Sequence, residues 1–142
     1  MSDRSNAEPL TEIAPGLMRC DTGYLRSGHT ACYLLFNGGR GAIIDAGVGV
    51  SVPGILDALA AQDIPRDAVD WVIPTHVHLD HAGGAGALMQ ALPNARLGIH
   101  PSGAEHMADP SRLEAGVRAL YGDEFFDREY APLTPVARER MV

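Results

Sequence analysis

Apolar positions along the chain fall first into short alternating runs and later into helical stripes. Leu17 to Cys20 reads as a short strand after the turn Ile13-Ala14-Pro15-Gly16, and Gly23 to Gly28 as a loop. Thr30 to Phe36 is a buried strand with β-branched and aromatic content. Asn37-Gly38-Gly39 is a hairpin signal, and Gly41 to Asp45 returns as the partner strand. The period then changes. Ser51 as N-cap and Pro53 in the first turn open a helix whose apolar face is Ile55, Leu56, Leu59 and Ala60, closed by Asp63-Ile64-Pro65. Val69 to Ile73 is a strand, and Ala85, Leu88, Met89 and Leu92 form the next helical stripe. Ala95 to Ile99 reads as a strand and Pro101 to Met107 as a short helix. Asp109-Pro110 opens a last helix with Leu113, Val117, Leu120 and Tyr121 on its apolar side, weakened by about 1 kcal/mol at Gly116. Asp123 to Tyr130 is acidic with Phe125 and Phe126 inside it, and no element is legible from Ala131 onward. The pattern predicts an α/β domain, a mixed sheet with helices on one face. It spans residues 12–130 between a flexible stretch, 1–11, and a tail, 131–142.

Chemistry concentrates in Thr75-His76-Val77-His78-Leu79-Asp80-His81-Ala82-Gly83-Gly84, directly after the apolar run Trp71-Val72-Ile73-Pro74. Three of the six histidines and one aspartate fall between positions 76 and 81. Imidazole and carboxylate suit zinc, iron, manganese or nickel. In an extended segment His76 and His78 point the same way and can grip one ion, while Asp80 and His81, beyond the bend, turn toward a second. Gly83 and Gly84 are expected to let the backbone pass close to the ions.

At these residues the chain resembles the metallo-β-lactamase-fold superfamily, whose signature His-x-His-x-Asp-His reads here His76-Val77-His78-Leu79-Asp80-His81. Ala42-Ile43-Ile44-Asp45-Ala46-Gly47 is similar to the family's strand ending in Asp-x-Gly, and Ala31-Cys32-Tyr33-Leu34-Leu35 to the strand before it. The resemblance covers residues 12 to about 108. It implies the first half of an αββα sandwich, with His76, His78, Asp80 and His81 as metal ligands and Asp45 as the residue steadying their loop. It implies two divalent metal ions, zinc first and iron or manganese as alternatives. The implied reaction is hydrolysis of a thioester, lactone or related ester by hydroxide formed on the ions, with Asp80 also taking the water's proton. Glyoxalase II-like and lactonase-like members are the leading models. Two other readings stay open: an iron-dependent sulfur dioxygenase of the same fold, separable by metal identity and oxygen consumption, and a half-fold acting as a binding or assembly module.

The family completes its two sites with later histidines and an aspartate from the second half. Here only His100 and His106 follow the signature, and His29 precedes it, none in a recognisable ligand motif. Three readings stay open: the remaining ligands come from missing sequence, they come from another chain, or the ions are bound weakly or not at all. A half-sandwich also leaves one sheet face open, so the chain is expected to pair with another copy or with its missing half.

Composition narrows the partners. A net charge of −7 argues against a nucleic-acid surface and leaves a small ester or thioester substrate as the expected ligand. No apolar run approaches the ~20 residues of a membrane span, and Met1 to Pro9 lacks an apolar signal region, so a cytoplasmic location is expected. Cys20 and Cys32 form no CxxC motif and read as reduced thiols; a bridge would need their strands to pair suitably.

Overall fold

Turn chemistry sets the first half of the sheet. In the computed structural model, which describes residues 10–142, Leu10–Ala14 (β1) and Leu17–Asp21 (β2) form one hairpin. Ala31–Asn37 (β3) and Arg40–Ile44 (β4) form a second. Gly38 and Gly39 take φ values of 60° and 78°, the left-handed pair that a two-residue hairpin needs to match strand twist. Leu10 and Thr11, expected to be flexible, instead pair with Cys20 and Arg19. The rest of the expected flexible stretch, 1–9, lies outside the described residues.

Val69–Ile73 (β5) and Arg96–Leu97 (β6) add in parallel, which gives a six-stranded mixed sheet in the order β1-β2-β3-β4-β5-β6. Parallel neighbours require crossovers, and helices supply them. Val52–Ala61 (α1) links β4 to β5, and Leu79–Ala82 (α2) with Ala85–Ala91 (α3) links β5 to β6. The chain continues through Pro101–Ala108 (α4), Ser111–Tyr121 (α5) and Asp123–Glu129 (α6). Among the described residues no helix is long and apolar enough to cross a membrane.

Strand alternation sorts the sheet into two unlike faces. Cys20, Cys32, Leu34, Ile43, Val72 and Leu97 are buried against Ile55 and Leu59 of α1 and Leu88 and Met89 of α3. Among the described residues the opposite face carries no helix: Leu17, Leu35, Ala42 and Trp71 stand side by side in one row, Arg19, Tyr33, Ile44 and Ile73 in the next. None of these eight is buried, and Leu35 is 41% exposed.

Several local expectations change for physical reasons. Ser51 takes the N-cap position of α1 but makes no side-chain bond into the helix; its Oγ accepts the Val48 N–H at 3.2 Å and so closes the turn before it. The strand expected over Ala95–Ile99 shrinks to two residues, because Pro101 already starts α4. On α5, Leu113 and Val117 pack inward, but Leu120 and Tyr121 stay 73% and 54% exposed. The acidic stretch after it folds as α6 because Phe126 gains full burial under the Arg118 guanidinium, 4.2 Å from its ring.

The tail is structured too. Val136 is buried and its N–H bonds Met107 O, and Val142 N–H bonds Leu97 O at 2.8 Å beside β6. Arg140 donates to the carbonyls of Met89, Leu92 and Ala95 at 2.6 to 2.7 Å. One guanidinium thus ties the C-terminal end of α3 to the turn that follows it.

Candidate metal centre

The carboxyl ends of β4 and β5, adjacent and parallel, present two loops to the same edge of the sheet. This is where open α/β sheets place their ligand sites. The loops are laced together by backbone: Asp45 N–H to Ile73 O (3.0 Å), Ala46 N–H to His81 O (2.7 Å) and Gly84 N–H to Gly47 O (3.0 Å). Asp45 sits at φ 62°, a left-handed conformation that aspartate tolerates better than most side chains. A Cβ on Gly84 would meet the carbonyl oxygens of Ala46 and Val48. That glycine therefore serves the approach of loop to loop, where the sequence suggested approach of backbone to ions.

Donor atoms of His76, Asp80 and His81 all lie within 4.8 Å of one another. His78 stands outside this group, with its ring centroid 4.9 Å from that of His76. His76 thus stands both beside His78, as the extended segment leads one to expect, and within reach of Asp80 and His81. Leu79 begins α2 immediately after His78, and that turn swings Asp80 and His81 back to His76, whose ring lies 4.4 Å from that of His81.

Asp45 orients two of the three donors. One oxygen accepts the Thr75 N–H at 2.8 Å and the Thr75 hydroxyl at 3.0 Å; the other meets His81 Nδ1 at 3.0 Å. A carboxylate accepts only, so His81 donates to Asp45 from Nδ1, which turns Nε2 toward the donor group. Thr75 Oγ1 spends its single proton on Asp45, so His76 Nδ1, 2.9 Å away, donates to Thr75 and leaves its own Nε2 free. His81 Nε2 in turn lies 3.3 Å from an Asp80 oxygen. Thr75 is the member that sequence reading did not assign; its only signal was its place between strand end and first histidine.

The other histidines do not join this group. His100 caps α4, its Nδ1 accepting Ser102 N–H at 3.1 Å. His106 lies on α4 itself. His29 is exposed and its ring stands 5.7 Å from Tyr24. Cys20 and Cys32 do face each other across β2 and β3 but remain free thiols, both buried. Their mutual hydrogen bond, then burial, push the Cys32 thiol well up, with the charge of Asp45 a lesser cause.

Next to the donors a second cluster gathers Tyr24, Val48, Leu79, Phe126 and Tyr130. The hydroxyls of Tyr24 and Tyr130 meet at 2.5 Å. Burial raises the pKa of both phenols, and the charge of Asp80 raises them further. No sequence signal joins these tyrosines, which are 106 positions apart.

Comparison with known proteins follows the same lines. A 43-residue stretch is 49% identical to a hydroxyacylglutathione hydrolase of Aeromonas salmonicida (strain A449), covering 30% of this chain and 16% of that protein. Over 91 residues the chain is 36% identical to the protein of the same name from Anaeromyxobacter dehalogenans (strain 2CP-C), 62% of this chain and 33% of that one. Among solved structures, a Cronobacter sakazakii metallo-β-lactamase with a HARLDQ motif aligns at TM-score 0.67 and 25% identity, over 94% of this chain and 46% of its own. The native FEZ-1 metallo-β-lactamase of Legionella gormanii aligns at TM-score 0.69 and 19% identity over 96% and 47%, a likeness of fold. The chain thus spans a third or less of the relatives matched by sequence and about half of these solved structures. The family model of the metallo-beta-lactamase superfamily matches residues 25–139, and the chain belongs to that superfamily.

Proposed function

We propose that this chain carries the first part of a divalent-metal site that hydrolyses a thioester, lactone or related ester. The observation that carries the reading is the convergence of His76, Asp80 and His81 donors within 4.8 Å. Two imidazoles and one carboxylate, with a position left over, form the donor set of a catalytic rather than a structural zinc. The chemistry supplied there by a bound divalent ion would be an acidified water as nucleophile and polarisation of the ester oxygen.

The protein groups have separable tasks. Asp45 and Thr75 hold His76 and His81 in the tautomers that expose Nε2. Asp80 would help hold the ion and accept the attacking water's proton. His78, beside His76, is reserved for a second ion whose further ligands come from outside residues 1–142. The open row Leu17, Leu35, Ala42 and Trp71 is the surface on which that material docks, as the missing half or as a second copy. The hydroxyacylglutathione hydrolases among the relatives support an ester or thioester as the substrate class.

The test is zinc loading followed by assay on an aryl ester and an acyl thioester, wild type against His81→Ala. Zinc-dependent turnover that disappears in the variant supports the reading. Turnover indifferent to chelation overturns it, as does iron as the bound metal with uptake of oxygen.

A further inference from the structure

A cavity of about 490 Å³, the size of a small-molecule site, opens where β2 ends and β3 begins. Its floor is strand. Thr11 and Arg19 stand opposite each other on β1 and β2, and Asp21 and Ala31 do so one row further along the same face. Because β3 runs antiparallel to β4, Ala31 lies at the edge where β4 stops and Asp45 follows. The cavity and the donor set therefore share one edge of the sheet. The remaining wall is the loop before β3, with His29 and Thr30. The His29 ring is 5.7 Å from that of Tyr24, whose phenol feels the charge of Asp80.

The loop that carries this wall is pinned in place. Asp21 accepts the Gly23 N–H at 2.8 Å and the Gly28 N–H at 2.6 Å, and the Thr22 N–H bonds Thr30 O at 3.2 Å. Within it Leu25 holds φ 60°, a left-handed conformation uncommon outside glycine. Charge then decides what the cavity takes. Arg19 is exposed and makes no hydrogen bond or ion pair with the described residues. Arg40, in the groove at the other end of the same face, is by contrast tied to Asp70. An uncommitted guanidinium presents parallel N–H donors that match a carboxylate. Asp21 limits the charge admitted: its oxygens are turned to the loop amides, and a second negative group beside them would be repelled.

We propose that the cavity between Arg19 and His29 is a subsite for a single carboxylate carried on an arm of the substrate. On this assignment, which rests on the hydrolase reading above, Arg19 binds the carboxylate and the chain serves esters or thioesters that bear one. Uncharged arms and dianionic groups such as phosphate monoesters are disfavoured.

The test uses the whole chain with labelled threonine, alanine and histidine, before zinc is added, because carboxylates also ligate zinc directly. Benzoate is titrated against benzamide, its uncharged counterpart, and phenylphosphonate, a dianion. With benzoate the signals of Thr11, His29, Thr30 and Ala31 should move together and saturate, and that of Ala42, in the other groove, should not. Benzamide and phenylphosphonate should bind about tenfold more weakly. Arg19→Gln should weaken benzoate about tenfold, while Arg26→Gln, exposed on the same loop, should leave it unchanged. Equal affinity for benzoate and either other probe, unchanged affinity in Arg19→Gln, or no saturable binding overturns the inference. Zinc is then added to the same sample. Zinc taken up at His76 and His81 without benzoate binding defeats this subsite alone. Benzoate bound in the cavity with no zinc at the histidines defeats the hydrolase reading and the substrate assignment with it.

Discussion

Asparagine at position 45 isolates the orienting role of Asp45 from its backbone role. Asparagine accepts the left-handed φ of 62° nearly as well as aspartate, so Asp45→Asn leaves the turn in place. Its amide offers one acceptor oxygen where the carboxylate offers two. If that oxygen keeps the Thr75 contacts at 2.8 and 3.0 Å, the amide nitrogen is set against His81 Nδ1–H, donor against donor. The imidazole then relieves the conflict by moving its proton to Nε2, which removes the metal-binding lone pair. Loss of an orienting partner of this kind lowers metal affinity about 10- to 100-fold, or about 1.4 to 2.7 kcal/mol. Zinc affinity measured by competition with a chromophoric chelator should fall within that range, and nitrogen-labelled histidine spectra should show the altered His81 tautomer. Asp45→Ala should lose a further ~1–2 kcal/mol of folding stability from the strained backbone. Unchanged zinc affinity in Asp45→Asn, within about threefold, would refute the orienting role.

Other consequences are equally direct. Arg140→Ala removes three charge-assisted bonds to the end of α3 and should cost about 2–4 kcal/mol in urea unfolding. Lysine should restore little of it, since one ammonium cannot span the three carbonyls. Gly84→Ala should destabilise by more than about 1 kcal/mol, because its Cβ would meet the Ala46 and Val48 oxygens. The Tyr24 and Tyr130 phenols, held above their ordinary pKa of about 10 by burial, keep their proton better folded than unfolded. Their contribution is thus intact below pH 10 and lost as pH rises past it. Alkaline unfolding followed by phenolate absorbance should show this, and Tyr24→Phe, Tyr130→Phe should weaken the pH dependence.

The parts of this fold carried by local chemistry were readable before the structure. Asn37-Gly38-Gly39 demands its hairpin, and the stripes through Ile55 and Leu88 demand helices whose faces close one side of the sheet. What escaped depends on contacts distant in sequence. The tail looked structureless because its order comes from Met107, Leu97 and the end of α3. Helix α6 was hidden for a like reason, since burial of Phe126 under Arg118 outweighs an acidic composition. At the site, the residue types were legible but their grouping was not. Two-residue alternation placed His78 beside His76, and the onset of α2 at Leu79 brought Asp80 and His81 to His76 as well. Thr75 and the Tyr24–Tyr130 contact carry no local signature.

Retention of a divalent ion by His76, Asp80 and His81 is the property from which the proposed chemistry follows. Zinc should be titrated into the metal-free chain while nitrogen-labelled side chains of all six histidines are followed. The account predicts saturation at about one ion or more per chain, with the Nε2 signals of His76 and His81 moving together and those of His29, His100 and His106 unmoved. Saturation without change at His76 and His81, or no saturable binding at all, would contradict it.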